Sequence, residues 1–144
     1  MIFCDANVLV HAFRKDAEEH DAYNRWLTER LNGEEPVAIS SVVASGFVRI
    51  VTHPRIFPDP APVAAALEFV EALRQAPAAV PLREGERHWE IFGRLCRKVS
   101  ARGNLVPDAH LAALAIESGA TLYSADRGFA RFPGLRWQHP MDEA

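Results

Sequence analysis

The sequence is poor in cysteine, with two thiols, Cys4 and Cys96, in 144 residues. They lie far apart and form no Cys-x-x-Cys pair, which argues against a disulfide framework or a thiolate zinc knuckle and leads us to expect a reducing cytoplasm. No apolar run approaches the ~18 residues of a membrane-spanning helix. The opening Met1-Ile2-Phe3-Cys4-Asp5 has no basic region ahead of its apolar residues and meets an acid at once, so neither a membrane protein nor a secreted precursor is expected. Excess positive charge is also missing: 16 Lys and Arg face 19 Asp and Glu, a net charge of -3, so a nucleic-acid partner must be held by a local patch. Eight glycines and ten prolines are too few for wholesale disorder or a collagen-like repeat.

Several catalytic signatures are absent as well. Six histidines form no His-Glu-x-x-His helix, and there is no Gly-x-Ser-x-Gly elbow, no Gly-x-x-x-x-Gly-Lys phosphate loop and no Gly-x-Gly-x-x-Gly fingerprint. Acyl transfer, P-loop nucleotide hydrolysis and dinucleotide chemistry lose support accordingly.

What is present is a globular balance, 49% hydrophobic and 24% charged, at a length that suits one domain spanning residues 1–144. Apolar runs at 2–4, 37–40, 79–82 and 121–124 read as strands, with a short last one at 135–137. Between them, helical spacing runs from Val8 through Leu31, from Val43 to Val51 before Pro54, over 63–73, over 86–100, and from Pro107 to a C-capping Gly119. Alternating strands and helices predict an α/β fold with a mainly parallel sheet covered on both faces.

In such sheets the site lies beyond the carboxyl ends of the strands. Asp5 directly follows the first strand and Asp126 follows the strand at 121–124. Asp108 opens the helix that runs antiparallel to that strand, so its first turn reaches the same edge. If the two strands are neighbours, three carboxylates meet. Two such charges ~4 Å apart repel by about 4 kcal/mol at an effective dielectric near 20, a conflict that a hard divalent cation removes. Mg²⁺ or Mn²⁺ on these aspartates would orient water for attack on a phosphodiester. Each aspartate taken alone reads more readily as a cap, and it is the convergence of all three that favours a site. Asn7 and Ser124 flank the site as positioning residues, and Arg127 and Arg49 are candidates for contact with substrate phosphate.

The chain resembles the PIN-domain ribonucleases of the VapC toxin type. The resemblance covers nearly the whole sequence and is carried by Asp5-Ala6-Asn7-Val8-Leu9, by residues 47–57 (FVRIVTHPRIF), by residues 105–115 (LVPDAHLAALA) and by Tyr123-Ser124-Ala125-Asp126-Arg127-Gly128-Phe129. It implies a three-layer α/β/α sandwich, RNA cleavage dependent on Mg²⁺ or Mn²⁺, homodimers, and inhibition by a VapB-like antitoxin that covers the site. By position, Asp5, Asp108 and Asp126 match the family's acidic residues and Ser124 matches the polar residue before the last acid.

One position departs from that pattern. The family commonly carries a glutamate immediately before the Phe-x-Arg-Ile segment, and here that position is Gly46. A mid-helix glycine costs ~1 kcal/mol relative to alanine, and nothing local calls for a break. Glu34 and Glu35 precede the second strand at the far end of the sheet and are poor substitutes. The departure predicts weakened catalysis, with a catalytically impaired module that binds antitoxin or RNA as the alternative. A phosphotransfer domain using Asp5 as acceptor is a third reading.

Overall fold

A computed structural model describes residues 1–142, so the last two residues of the expected 1–144 domain lie outside the described residues. Five short strands form one parallel sheet in the order β3-β2-β1-β4-β5, with β1 Ile2–Cys4, β2 Val37–Ile39, β3 Ala79–Pro81, β4 Thr121–Tyr123 and β5 Trp137–Gln138. β1 is central and buried along its length, as its unbroken apolar run requires. The described residues also hold six α-helices, α1 Ala6–Phe13, α2 His20–Leu31, α3 Ser41–Val51, α4 Val63–Gln75, α5 His88–Val99 and α6 Leu105–Ser118, and two short 3₁₀ turns.

The strand order fixes where the layers fall. From β1 the chain steps outward through β2 to β3, then returns over them to β4 on the other side of β1. Right-handed crossovers therefore put α1 to α4 on one face and α5 with α6 on the other. Helix contacts divide in the same way: α1 packs on α2 and α3, α3 on α4, and α5 on α6. The result is the expected α/β/α sandwich. Its switch point, where connections leave in opposite directions, lies between β1 and β4.

Local chemistry accounts for most boundaries. Ser40 caps α3, its hydroxyl accepting from the Val43 N–H at 3.2 Å, which leaves β2 one residue shorter than the apolar run suggests. Gly119 ends α6 in the left-handed region at φ 72°, with the Ala120 N–H donating to the Ala115 carbonyl at 3.0 Å. α6 starts two residues before Pro107, whose missing N–H falls in the first turn where no carbonyl partner is needed.

Two expectations are corrected. The helical region read from Val8 to Leu31 is two helices, because the chain turns at Arg14. That side chain is buried and donates to Asp16 at 2.9 and 2.6 Å and to the Asp59 carbonyl at 2.8 Å, while its guanidinium lies 4.0 Å from the centre of the Phe57 ring. The final strand is Trp137–Gln138 rather than 135–137, because pairing with Leu122 and Tyr123 decides it.

Candidate active site

β1 and β4 are hydrogen-bonded neighbours in the register Cys4↔Tyr123, so the residues that follow them emerge side by side. The Asp5 N–H donates to the Tyr123 carbonyl at 2.9 Å, the last rung of that ladder. Asp5 then caps α1: its Oδ1 accepts from the Ala6 N–H at 2.7 Å, and its Oδ2 accepts from the Ser124 hydroxyl at 2.8 Å and from Asn7 Nδ2 at 3.3 Å.

Ser124, completely buried, is the hinge of the arrangement. Besides donating to Asp5, its Oγ accepts from Asn7 Nδ2 at 3.1 Å and from the Asp126 N–H at 3.0 Å. Asn7 closes the loop from the other side, its Oδ1 accepting from the Ala125 N–H at 3.1 Å. These bonds tie the end of β1 to the end of β4 across more than a hundred residues of sequence. Asp126 caps a 3₁₀ turn at Arg127–Arg131, with its Oδ1 accepting from the Gly128 N–H at 2.8 Å.

Asp108 comes from the first turn of α6 and shares a cleft of about 390 Å³ with Asp5. Its carboxylate accepts no hydrogen bond among the described residues. Burial, then the negative charges of Asp126 and Asp5, push its pKa up to about 6, against a smaller opposing pull from Arg131. Asp5 is also raised, chiefly by burial and further by Asp126, although its bonds from Ser124 and Ala6 pull the other way. Beneath it, burial and the Asp5 charge push the Cys4 thiol up to about 12, which leaves it inert as a nucleophile. The three predicted acids thus act on one another.

Among the described residues, no three His, Cys, Asp or Glu side chains close into a ready coordination sphere. The donors fit a cation of a particular kind. Mg²⁺ and Mn²⁺ take oxygen ligands and keep much of their water, needing one or two carboxylates rather than a protein cage. Asp108, half-desolvated, repelled by two neighbours and without a donor, is the group such a charge would relieve.

The basic residues fall differently from expectation. Arg127, predicted beside the acids, turns outward and donates to Asp142 at 2.9 and 3.2 Å. The cation that acts on Asp108 is Arg131, one turn later, whose Nε donates to the Gly128 carbonyl at 2.9 Å. The spacing from Asp126 to Arg131 around a tight turn was the available signal for it. Arg49 is exposed in the last turn of α3 and makes no ion pair among the described residues. Gly46 lies inside α3 without breaking it, one turn beyond Val42 and Val43 of the cleft wall, and a Cβ built there meets no atom within 4 Å.

Comparison with known proteins places the fold and the sequence in a family. The PIN domain family model matches residues 2–135. Ribonuclease VapC43 of Mycobacterium tuberculosis is 52% identical over 143 residues, covering 99% of this chain and 97% of that protein. Among solved structures, VapBC2 from Rickettsia felis, bound to a promoter DNA fragment, superposes with a TM-score of 0.69 at 19% identity, covering 96% of this chain and 98% of the other. The Mycobacterium tuberculosis toxin VapC20, described as cleaving the sarcin–ricin loop, superposes with a TM-score of 0.66 at 18% identity, covering 94% and 99%.

Proposed function

The chain belongs to the PIN-domain family, among the VapC-type ribonucleases, and from that premise we propose that it is the endoribonuclease toxin of a toxin–antitoxin pair, dependent on Mg²⁺ or Mn²⁺. The observation that carries the reading is geometric: Asp5 and Asp108 line one cleft at the switch point of the sheet, and Ser124 ties the Asp5 carboxylate to the backbone of Asp126. Asp5, Asp108 and Asp126 would hold the cation. When bound, it supplies Lewis-acid neutralisation of phosphodiester oxygens and a more acidic water.

The chain's own residues do the rest. Ser124 and Asn7 fix the Asp5 carboxylate and the backbone leading to Asp126, so two of the three acids are oriented before substrate arrives. Asp108, raised by burial and by the charges of Asp126 and Asp5, is the carboxylate whose ionised form a bound cation would stabilise most. Arg131 supplies positive charge beside the acids, with Arg49 and Arg127 as outer phosphate contacts, Arg127 at the expense of its pair with Asp142. Absence of a carboxylate at Gly46 lowers cation affinity and rate in this reading.

A VapB-like antitoxin that covers the cleft is the proposed partner, and a homodimer the proposed assembly. No helix among the described residues is long and apolar enough to cross a membrane; a cytoplasmic site of action is part of the proposal. The test is cleavage of a structured RNA mixture with Mg²⁺ or Mn²⁺, with EDTA, and with Asp5→Asn and Asp108→Asn. We expect cleavage only in the metal-loaded parent protein. Products that persist in EDTA, or at the parental rate in both variants, would refute the assignment.

A further inference from the structure

The acid cluster leaves unused a ledge of rings where α5 meets α6. Trp89 is 77% exposed, so it contributes nothing to the core. Its ring centroid lies 5.3 Å from that of Phe92, which in turn lies 6.1 Å from His110. Phe92 and His110 line the same cleft as Asp5 and Asp108. A continuous ring surface therefore runs from solvent at Trp89 to the carboxylates.

Basic side chains flank this ledge on α5, with Glu90 beside Trp89 and Glu84 paired to His110 at 3.5 Å as its acidic neighbours. Gly93 and Arg97 follow Trp89 at i+4 and i+8 on one side of α5, and the Arg97 guanidinium lies 3.6 Å from where a Gly93 Cβ would stand. Arg94, Arg97, Lys98 and Arg102 are exposed and make no ion pair among the described residues. An exposed indole and, two turns on along the same side of α5, an unpaired guanidinium lying against Gly93 offer a π-face and a phosphate contact, the complement of a nucleotide.

We propose that Trp89 and Phe92 stack an unpaired base of the RNA substrate, with Arg97 on an adjoining phosphate, and so deliver a neighbouring phosphodiester to the acids. The assignment rests on the ribonuclease reading and names its substrate as RNA with an unstacked base, since a base paired in a duplex offers no free face. Stacking tolerates any base, so the ledge selects for strand structure more than for sequence.

The test measures anisotropy of a short fluorescein-labelled single-stranded RNA against the full chain in EDTA, beside the same oligonucleotide made abasic. Trp89→Ala should weaken RNA binding by roughly 5- to 150-fold, the range of one base–aromatic stack. Trp89→Phe should recover most of that loss, and parent and Trp89→Ala should bind the abasic strand alike. With Mn²⁺, Trp89→Ala should raise KM while kcat stays near the parent value. Equal RNA affinity of parent and Trp89→Ala would overturn the proposal, and so would an undetectable affinity of the parent. A dimer that becomes a monomer on Trp89→Ala, with RNA affinity per chain unchanged, would assign the ledge to a second copy and overturn it too. Stacking-dependent binding without metal-dependent cleavage sinks the ribonuclease reading but keeps the ledge; cleavage with KM indifferent to Trp89 does the reverse.

Discussion

Replacing Asp108 by Asn removes one charge from the cluster while keeping nearly the same shape, and should stabilise the metal-free protein above neutral pH. Asp108 rises from 3.8 to about 6; taken in full this is roughly 3 kcal/mol at 1.36 kcal/mol per pKa unit. The carboxylate is partly exposed, so solvent screening reduces the expected effect to about 1 kcal/mol. The sign follows from linkage: folding favours the protonated acid, so its penalty is absent below pH 3.8, grows between there and pH 6, and is complete above. Urea denaturation in EDTA should therefore show Asp108→Asn to be more stable than the parent at pH 8 and nearly equal to it at the acid end of that range. Saturating Mn²⁺ should reverse the order at pH 8, because a ligand at one hundred times its dissociation constant adds about 2.7 kcal/mol to the protein that binds it. If Asp108→Asn were less stable than the parent in EDTA at pH 8, or if the difference were independent of pH, the carboxylates would not be in electrostatic conflict and the argument for a cation would fail.

Three further outcomes are expected. A Cβ at Gly46 meets nothing within 4 Å beyond its neighbours and its own helix backbone, so Gly46→Glu should enter α3 without a clash at that carbon; calorimetry should show tighter Mn²⁺ binding and cleavage assays a faster rate, whereas equal rates across a Mg²⁺ titration would remove any role for that position. Ser124→Ala deletes the donor to Asp5 and the acceptor for Asn7 and the Asp126 N–H in a fully buried position, so thermal unfolding should register a loss of about 1–3 kcal/mol together with weaker metal binding. Gly128→Ala would place a methyl group 2.9 Å from Asp126 Oδ1 and force that carboxylate to move; cation affinity should fall while far-ultraviolet circular dichroism stays the same, and unchanged affinity would exclude Asp126 as a ligand.

Much of the fold was legible because the elements carry strong local signals. β1 and β4 are short, largely apolar runs ended by a polar residue, and α6 shows its first turn by Pro107, two residues inside its actual start, and its stop by Gly119. The break between α1 and α2 was not legible, since Arg14 ends α1 through contacts with Asp16, Phe57 and the Asp59 carbonyl, two of them more than forty residues away. Which basic residue acts on the acids also depended on the tertiary turn. Adjacency to Asp126 favoured Arg127, but the tight turn sends it to Asp142 and leaves Arg131 to act on Asp108. The exposure of Trp89 was not legible, because an indole at helical spacing reads as a core or interface anchor until the packing of α5 on α6 is known.

The sequence by itself determined the residue types and their local geometry: an aspartate at the end of each of two strands, another in the first turn of a helix, and a glycine where a carboxylate was expected. Those are properties of short stretches, set by side-chain periodicity and capping. Only the tertiary structure decided that β1 and β4 lie side by side, that Ser124 and Asn7 lock their ends together, and that Phe92 and His110 open onto the same cleft as the acids. Contacts over such separations come from burying sheet and helix faces together, and no local pattern encodes which faces meet.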